Sequence, residues 1–268
     1  GDWEILIDAE TGEIVRAEDK ATYQHTTRET GSGWVFAPDP ITSAATVYGV
    51  SQFQDGGDSD TDSLTAQLKT VELEDITFDG VNYQLSGPYA SIIDIEAPYT
   101  GFHEQDSSNF HFTRSQDAFE AVNTYYHIHQ TMKYLNEDLG FSVMPYQYGG
   151  GVHFDPRALN GDNNAYFSSS TGWVAFGVPG GNVDAAEDHA IVLHEIGHAI
   201  HDWITSGGLS QNEGLSEGLG DYWAQSYTRS LGIYEPGDTQ YDYFGVWGLM
   251  PLGGPTLRVT NFPNHYPE

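Results

Sequence analysis

The chain contains no cysteine and few basic residues. Without cysteine there is no disulfide bond, no thiolate metal site and no cysteine nucleophile, so a bound metal has to be held by His, Asp or Glu. The 268 residues carry nine Lys and Arg against 39 Asp and Glu, for a formal net charge of −30. Binding to nucleic acid or to an anionic membrane surface requires a basic face, so this composition argues against both partners.

Long apolar runs are also lacking. No stretch approaches the roughly 18 consecutive apolar residues of a membrane-spanning helix, so we expect no membrane partner. Hydrophobic residues make up 38% of the chain, which is enough for an ordinary core. The acidic composition is typical of a protein that net charge keeps soluble, and we expect a secreted, extracellular protein.

The N-terminal part of the sequence favours strands and turns. Residues 1–20 predict a hairpin, because Trp3, Ile5 and Ile7 alternate before a turn and a returning apolar segment. A two-stranded hairpin is marginally stable by itself, so this one looks like the last piece of a larger unit. Residues 21–45 are polar and rich in turn formers, and they predict a linker or extended arm.

The remaining sequence divides into two parts. Residues 46–180 predict a β-rich subdomain, with Asp79-Gly80 as a hairpin turn. Within it, apolar residues at three- and four-residue steps predict one long helix over 114–139, ended by Gly140. Residues 181–268 predict further helices, and the whole chain is expected to be α+β.

One of these helices carries the pattern His194-Glu195-Ile196-Gly197-His198. Two histidines at i and i+4 lie on one helical face, so their imidazoles can reach a single ion. Neutral imidazole suits Zn²⁺, and a catalytic zinc keeps three protein ligands and one water. Glu195 is next to the first ligand and can act as general base on that water.

The third ligand has two candidates. Glu213 and Glu217 follow His198 by 15 and 19 residues, and with Asp221 they form a stripe along one helical face. The longer spacing leaves room for a turn and an antiparallel helix, so Glu217 is preferred. Asp221, one turn further on, is then expected to accept a hydrogen bond from a ligand histidine.

Residues 181–228 resemble the thermolysin/fungalysin branch of the gluzincin metalloproteases. Glu217-Gly218-Leu219-Gly220-Asp221-Tyr222-Trp223 is similar to the segment in which those enzymes carry the third zinc ligand and a supporting aspartate. The resemblance implies a thermolysin-like zincin fold and a zinc-dependent endopeptidase. It also implies zinc ligation by His194, His198 and Glu217, with Glu195 as catalytic base and Asp221 as support.

Two further segments carry the resemblance into the substrate-binding region. Residues 163–167 and 174–177 are similar to the family's edge strand, where Asn164 and Ala165 would hydrogen-bond an extended peptide or protein substrate. Downstream, Leu257 and Arg258 are similar to an apolar specificity residue and to an arginine that holds the substrate carbonyl.

The same resemblance also leads to expectations for the two ends of the chain. Residues 1–20 are similar to the last part of the family's propeptide, so they are expected to be its remnant. The family's oxyanion-binding histidine follows the segment around Arg258 and has no match before Glu268. The C-terminal helical half is therefore expected to be missing here. A C-terminal fragment of the same precursor is the expected partner that completes the catalytic domain.

Three alternatives stay open. A zinc aminopeptidase also uses this metal motif, although Asn212-Glu213-Gly214 has the wrong spacing for its amine-binding segment. A non-catalytic zinc-containing protein that binds peptides is the second, and the retained Glu195 argues against it. The third concerns Asp58, Asp60 and Asp62, whose alternating carboxylates could hold Ca²⁺ but are expected to form a solvated loop.

Overall fold

The computed structural model describes residues 3–19, 26–209, 214–249 and 258–261, and its helices and mixed sheets give an α+β fold. The strands of this described part are β1 (Trp3–Ile7), β2 (Ile14–Asp19), β3 (Thr27–Val35), β4 (Lys69–Phe78), β5 (Tyr83–Gln84), β6 (Ala90–Ile92), β7 (Asn109–Phe110), β8 (Val152–Ala158), β9 (Ala165–Phe167), β10 (Val174–Gly177), β11 (Tyr243–Phe244) and β12 (Arg258–Val259). Its α-helices are α1 (Pro40–Ser43), α2 (Asp62–Thr65), α3 (Ala118–Lys133), α4 (His189–Ile204) and α5 (Leu215–Ser230). None of these helices is long and apolar enough to cross a membrane.

Two four-stranded sheets form the β-rich part. The first has the order β5-β4-β3-β7 and the second β6-β8-β10-β9. In the second sheet, β8 pairs parallel with β6 and β10, whereas β9 pairs antiparallel with β10 and lies at the edge. Separate two-stranded sheets join β1 to β2 and β11 to β12. The hairpin predicted over 1–20 is thus present as β1 and β2.

The segment predicted as a linker or extended arm over 21–45 includes a strand of the first sheet. Thr27–Val35 form β3, which lies between β4 and β7 inside the first sheet. Gly31 and Gly33 suggested a flexible segment, but here they permit close packing. A Cβ on Gly31 would lie 2.3 Å from the carbonyl oxygen of Ser108, and one on Gly33 would lie 2.7 Å from a methyl of Val122.

The long helix begins later than its predicted start at residue 114. The backbone N–H of Thr113 donates to the Gln116 side chain at 3.0 Å, but α3 begins only at Ala118. A π-helical turn over Tyr134–Asp138 continues it to the predicted end, where Gly140 has a φ of +71°. Arg114 points into the protein and pairs with buried carboxylates, so its side chain does not lie on the surface of a helix that begins at residue 114.

The main core lies around α3, which contacts β3 of one sheet, β6 and β8 of the other, and α4. Its buried face includes Val122, Tyr125, Ile128 and Met132. Because α3 covers one side of α4 and α5 covers another, α4 is buried over nearly its whole length. Any polar side chain on α4 therefore needs a partner on a neighbouring element.

Candidate metal centre

His194 and His198 lie on buried α4, and each is less than 10% exposed. Their ring centroids are 4.7 Å apart, as expected for residues one helical turn apart. One ligand atom of each lies within 4.8 Å of the others and of a carboxylate oxygen of Glu195. The helix thus brings together the three residues of the sequence motif.

Each imidazole is oriented through its Nδ1 atom. Nδ1 of His194 lies 2.9 Å from Oδ1 of Asp221, and Nδ1 of His198 lies 2.7 Å from Oγ of Ser216. When these Nδ1–H groups donate, the lone pair of each ring is on Nε2, the tautomer that a metal ligand requires. Burial and the adjacent His194 lower the pKa of His198 to about 4, which keeps this ring neutral at physiological pH.

Asp221 is held in its ionised form. Burial is the largest single influence and raises its pKa, but the hydrogen bonds and charge interactions with His194 and Arg258 together outweigh it, so the pKa is lowered overall. An ionised carboxylate is the stronger acceptor for an imidazole N–H. The structure therefore places Asp221 where the sequence predicted an acceptor for a ligand histidine.

The two Nε2 atoms face the carboxylate of Glu217, the third ligand preferred from the sequence. Nε2 of His194 is 3.3 Å from Oε2, and Nε2 of His198 is 3.4 Å from Oε1. Ordinary N–H···O hydrogen bonds are shorter, at about 2.7–3.2 Å. A tetrahedral zinc with bonds of about 2.0–2.1 Å keeps its ligand atoms about 3.3–3.4 Å apart. The donor types suit Zn²⁺, and each Nε2 lies at such a separation from a different oxygen of Glu217. Glu213, the alternative ligand, lies outside the described residues.

Two glycines make this approach of α5 to α4 possible. A Cβ on Gly197 would lie 2.5 Å from the Cα of Gly220, and a Cβ on Gly220 would lie 2.7 Å from Nδ1 of His194. Glycine inside a helix costs about 1 kcal/mol relative to alanine. Here the missing side chains let the two backbones nearly touch, and Ser216, Glu217 and Asp221 reach the histidines as a result.

Glu195 is buried beside the two imidazoles. Burial raises the pKa of this carboxyl to about 7, against the lowering effects of His194 and of a hydrogen bond from the backbone of Phe167. A carboxyl group with a pKa near neutrality can both accept and release a proton at physiological pH. This environment is compatible with the general-base role expected of Glu195 from the sequence.

A cleft of about 620 Å³ opens over this cluster. The cleft is lined by residues of α4 and α5, by β9 with its flanking residues, and by residues before α4 and after α4 and α5. The described lining residues are Asn163, Asn164, Ala165, Tyr166, Phe167, Ser169, Ala185, Ile191, His194, Glu195, His198, Leu209, Glu217, Phe244, Leu249 and Arg258. A strand at the edge of the second sheet therefore runs along the wall of the cleft.

Of the two segments predicted as the substrate strand, one contains β9 at the sheet edge, whereas residues 174–177 form β10, which lies between β8 and β9. Asn164 directly precedes β9 and Ala165 begins it, and they differ in the groups they offer to a peptide. Asn164 uses its backbone inside the protein, since its N–H donates to Asp162 and its C=O accepts from Gly177. Ala165 pairs with Phe176, and strand alternation turns its own N–H and C=O toward the open edge. Backbone pairing with a peptide is therefore available at Ala165, whereas Asn164 offers its exposed side chain.

Arg258 lies at the same cluster. Its Nη1 donates to Oδ1 of Asp221 at 2.7 Å, and Nη2 is 3.6 Å from Oε2 of Glu217. The guanidinium carbon is 5.6 Å from the ring centroid of Phe244, which also packs near His194. The structure thus brings Arg258 to Asp221 and Glu217, while Leu257 lies outside the described residues.

The acidic loop considered for calcium has other partners. Asp58 lies 3.4 Å from Nη2 of Arg114, and Asp60 accepts from the hydroxyls of Thr113 and Ser115. Asp62 is the first residue of α2. The three carboxylates do not form a metal-compatible group among the described residues, because Arg114 and hydroxyl groups draw them in different directions.

Sequence reasoning missed Ser216 and the glycine pair. A buried serine directly before Glu217 has no distinctive pattern, since its contact with His198 depends on how α5 crosses α4. Gly197 and Gly220 did carry a signal, because interior helical glycines usually have a packing or functional reason.

No protein-family model matches this chain, and no curated protein sequence matches it.

Proposed function

We propose that this chain is a zinc-dependent endopeptidase of the gluzincin type, with thermolysin-like zinc helices. The observation that carries the proposal is the convergence of Nε2 of His194, Nε2 of His198 and the carboxylate of Glu217, at N–O distances of 3.3 and 3.4 Å. Each distance is close to the ligand–ligand separation of a tetrahedral zinc, with one oxygen of Glu217 facing each histidine. Three protein groups would hold the ion, and a water molecule from the cleft would complete its coordination.

Zinc bound there would polarise the scissile carbonyl and lower the pKa of a water molecule. Glu195 takes a proton from the attacking water as its oxygen adds to the carbonyl carbon. It then gives that proton to the amine nitrogen as the C–N bond breaks. Arg258 is the cation beside the cluster, and we propose that it holds the carbonyl oxygen of the substrate as negative charge develops on it.

The substrate class follows from the wall of the cleft. An extended peptide can pair with the open edge of β9 at Ala165, as an added strand does in β-augmentation. An aminopeptidase also needs an acidic group that captures the terminal ammonium. Among the described residues that line the cleft, Glu195 and Glu217 are the acidic ones, and both already have roles. This lining favours cleavage within a chain.

The test uses a peptide acetylated at its N-terminus and amidated at its C-terminus. We expect the zinc-loaded protein to cleave it internally and to lose activity in 1,10-phenanthroline. Replacing Glu217 with Gln should abolish zinc retention at this cluster, measured by metal analysis. Cleavage of unblocked peptides alone would indicate an aminopeptidase. Zinc held by His194 and His198 without cleavage would favour the non-catalytic alternative.

A further inference from the structure

A second group of metal-ligating side chains lies on other elements of the fold. Glu74 and Asp75 of β4 and His129 of α3 each place one ligand atom within 4.8 Å of the others. The side chain of His129 is 1% exposed, whereas those of Glu74 and Asp75 are 31% and 39% exposed. The cluster therefore has a buried nitrogen at its base and two carboxylates open to solvent.

A β-bulge brings the two carboxylates together. Glu29 of β3 pairs with Ile76, and Gly31 pairs with Leu73, so Glu74 and Asp75 together oppose a single residue. In a regular strand their side chains would point to opposite faces of the sheet. At the bulge, Asp75 has a φ of +58°, and its side chain joins that of Glu74 near α3. Bulges commonly redirect a side chain at a functional site.

The backbone of the bulge is contacted by the side chain of Arg28 on the neighbouring strand β3. Nη1 of Arg28 donates to the carbonyl oxygen of Asp75 at 3.4 Å and also contacts Ser86 and Thr77. Left-handed conformations are costly for residues other than glycine, although Asp and Asn adopt them more readily than most. The chain thus maintains an unusual backbone conformation at the position that presents the second carboxylate.

His129 is the least satisfied member of the cluster. Both of its ring nitrogens are buried and have no hydrogen-bond partner among the described residues. Nε2 lies 3.7 Å from Oδ2 of Asp75, which is too long for a hydrogen bond. The ring packs between Tyr89 and Tyr125, with centroid distances of 5.5 Å to each. A buried polar group without a partner is unfavourable, so this arrangement requires an explanation.

We propose that Glu74, Asp75 and His129 bind a divalent first-row transition metal ion, with zinc as the probe. One imidazole and two carboxylates form a ligand set suited to Zn²⁺ or Mn²⁺. An ion between Nε2 of His129 and Asp75 satisfies the nitrogen and offsets negative charge in an acidic chain. Burial lowers the pKa of His129, which favours the neutral ring that a metal needs. The site does not depend on the proposed peptidase activity.

Lys133 modulates this site. Its ammonium contacts Oε2 of Glu74, one turn of α3 beyond His129, so it competes with the metal for one carboxylate oxygen. The side chain of Lys133 is 30% exposed, and it can move toward solvent without leaving a buried charge. Asp75 and His129 have no such competitor at hydrogen-bond distance among the described residues, so they form the stronger half of the site.

The experiment measures the number of zinc ions bound per chain. The protein is equilibrated with Zn²⁺ and passed through a desalting column, and the metal content per chain is measured. We expect two ions in the unmodified protein and one in Asp75→Asn. Asparagine preserves the size of the side chain and tolerates the left-handed backbone. Glu72→Gln removes the same charge from an exposed position of β4 and should leave both ions bound.

The variants also separate the two sites. Glu217→Gln should lose one ion and keep the ion that Asp75→Asn loses. Calorimetric titration of Glu217→Gln against its double variant with Asp75→Asn should show a loss of affinity greater than the roughly 10–100-fold caused by removing a supporting partner. A single ion that Glu217→Gln abolishes and Asp75→Asn retains would overturn this inference alone. If Asp75→Asn fails to fold, Glu74→Gln decides between the same outcomes.

Discussion

The two histidine–carboxylate clusters differ in how their imidazoles are held. In the first, Nδ1 of His194 and of His198 each have an oxygen partner that orients the ring. In the second, His129 is buried without a hydrogen-bond partner among the described residues, and its neighbours are aromatic rings. An oriented ring presents its lone pair with little reorganisation, whereas a ring held only by packing gains its first polar contact when a ligand arrives.

The clusters also differ in the structural elements that bring their carboxylates together. Glu217 and Asp221 come from a helix that crosses α4 at a glycine contact, and their spacing follows the helical period. Glu74 and Asp75 are adjacent in sequence and meet only because a bulge breaks the alternation of β4. The first cluster thus forms where two regular helices cross, and the second forms where β4 departs from regular strand alternation.

The largest expected effect comes from Glu195→Gln in the first cluster. The amide cannot accept the proton of the attacking water, so peptidase activity should fall by at least about 10²–10⁴-fold. Zinc content should not change, because the proposed ligands His194, His198 and Glu217 remain. Activity assays and metal analysis on the same preparation check this result. Near-normal cleavage by Glu195→Gln would refute the role assigned to this residue.

Gly220→Ala tests whether helix crossing builds the first cluster. The new Cβ would lie 2.7 Å from Nδ1 of His194, so α5 must shift and take Glu217 and Asp221 with it. We expect zinc affinity to fall by roughly 10–100-fold, as when a ligand loses its support. Competition with a chromogenic chelator measures the affinity.

Gly218→Ala is the matched control on the same helix. A Cβ at Gly218 meets no described atom within 4 Å, so the substitution introduces no collision. Alanine should instead stabilise α5 by up to about 1 kcal/mol. Equal zinc affinity in the two variants would show that the close approach at Gly220 does not position the ligands.

His127 sharpens the contrast with His129, two residues further along α3. Its Nε2 lies 2.8 Å from the carbonyl oxygen of Phe36, so this buried ring is already satisfied. Burial, with a contribution from His189, lowers its pKa from the ordinary 6.5 to about 3. Above pH 6.5 both folded and unfolded forms are neutral at this residue. Below it, only the unfolded chain gains the proton.

The free energy of unfolding should therefore fall as the pH drops from 6.5 toward 3. The contribution of His127 is about 1.4 kcal/mol per pH unit, or roughly 2 kcal/mol at pH 5. Denaturant unfolding of His127→Gln at pH 7.5 and pH 5 should show a smaller loss than the unmodified protein. His111→Gln removes an exposed imidazole and serves as the control. Parallel losses in all three proteins would contradict this account.

The smallest expected effect concerns the second cluster. Lys133→Gln removes the ammonium that contacts Glu74, and zinc at this cluster should bind more tightly. A partly exposed charge about 4 Å away contributes on the order of 1 kcal/mol, which corresponds to roughly fivefold in affinity. Titration in the Glu217→Gln background isolates the site. Weaker binding in Lys133→Gln would mean that Lys133 supports the cluster instead of competing for it.

Local patterns predicted much of the fold but failed where packing decided. The hairpin at Asp79-Gly80 forms between β4 and β5, because the turn needs only those residues. Gly31 and Gly33 are among the turn formers that predicted a linker or extended arm over 21–45, and they instead lie in β3, because glycine is found both in turns and at close contacts. Likewise, the start of α3 depends on the inward pairing of Arg114.

The order of residues by itself determined that His194, Glu195 and His198 share one stretch of helix, because backbone hydrogen bonding sets the helical period regardless of the surrounding fold. It also suggested Glu217, since a turn and a returning helix fit the intervening length. Only the tertiary structure decided that Ser216 orients His198 and that His129 meets Glu74 and Asp75. Such contacts join elements far apart in the chain, and the crossing of two helices or a shift of one residue in strand register determines whether they form.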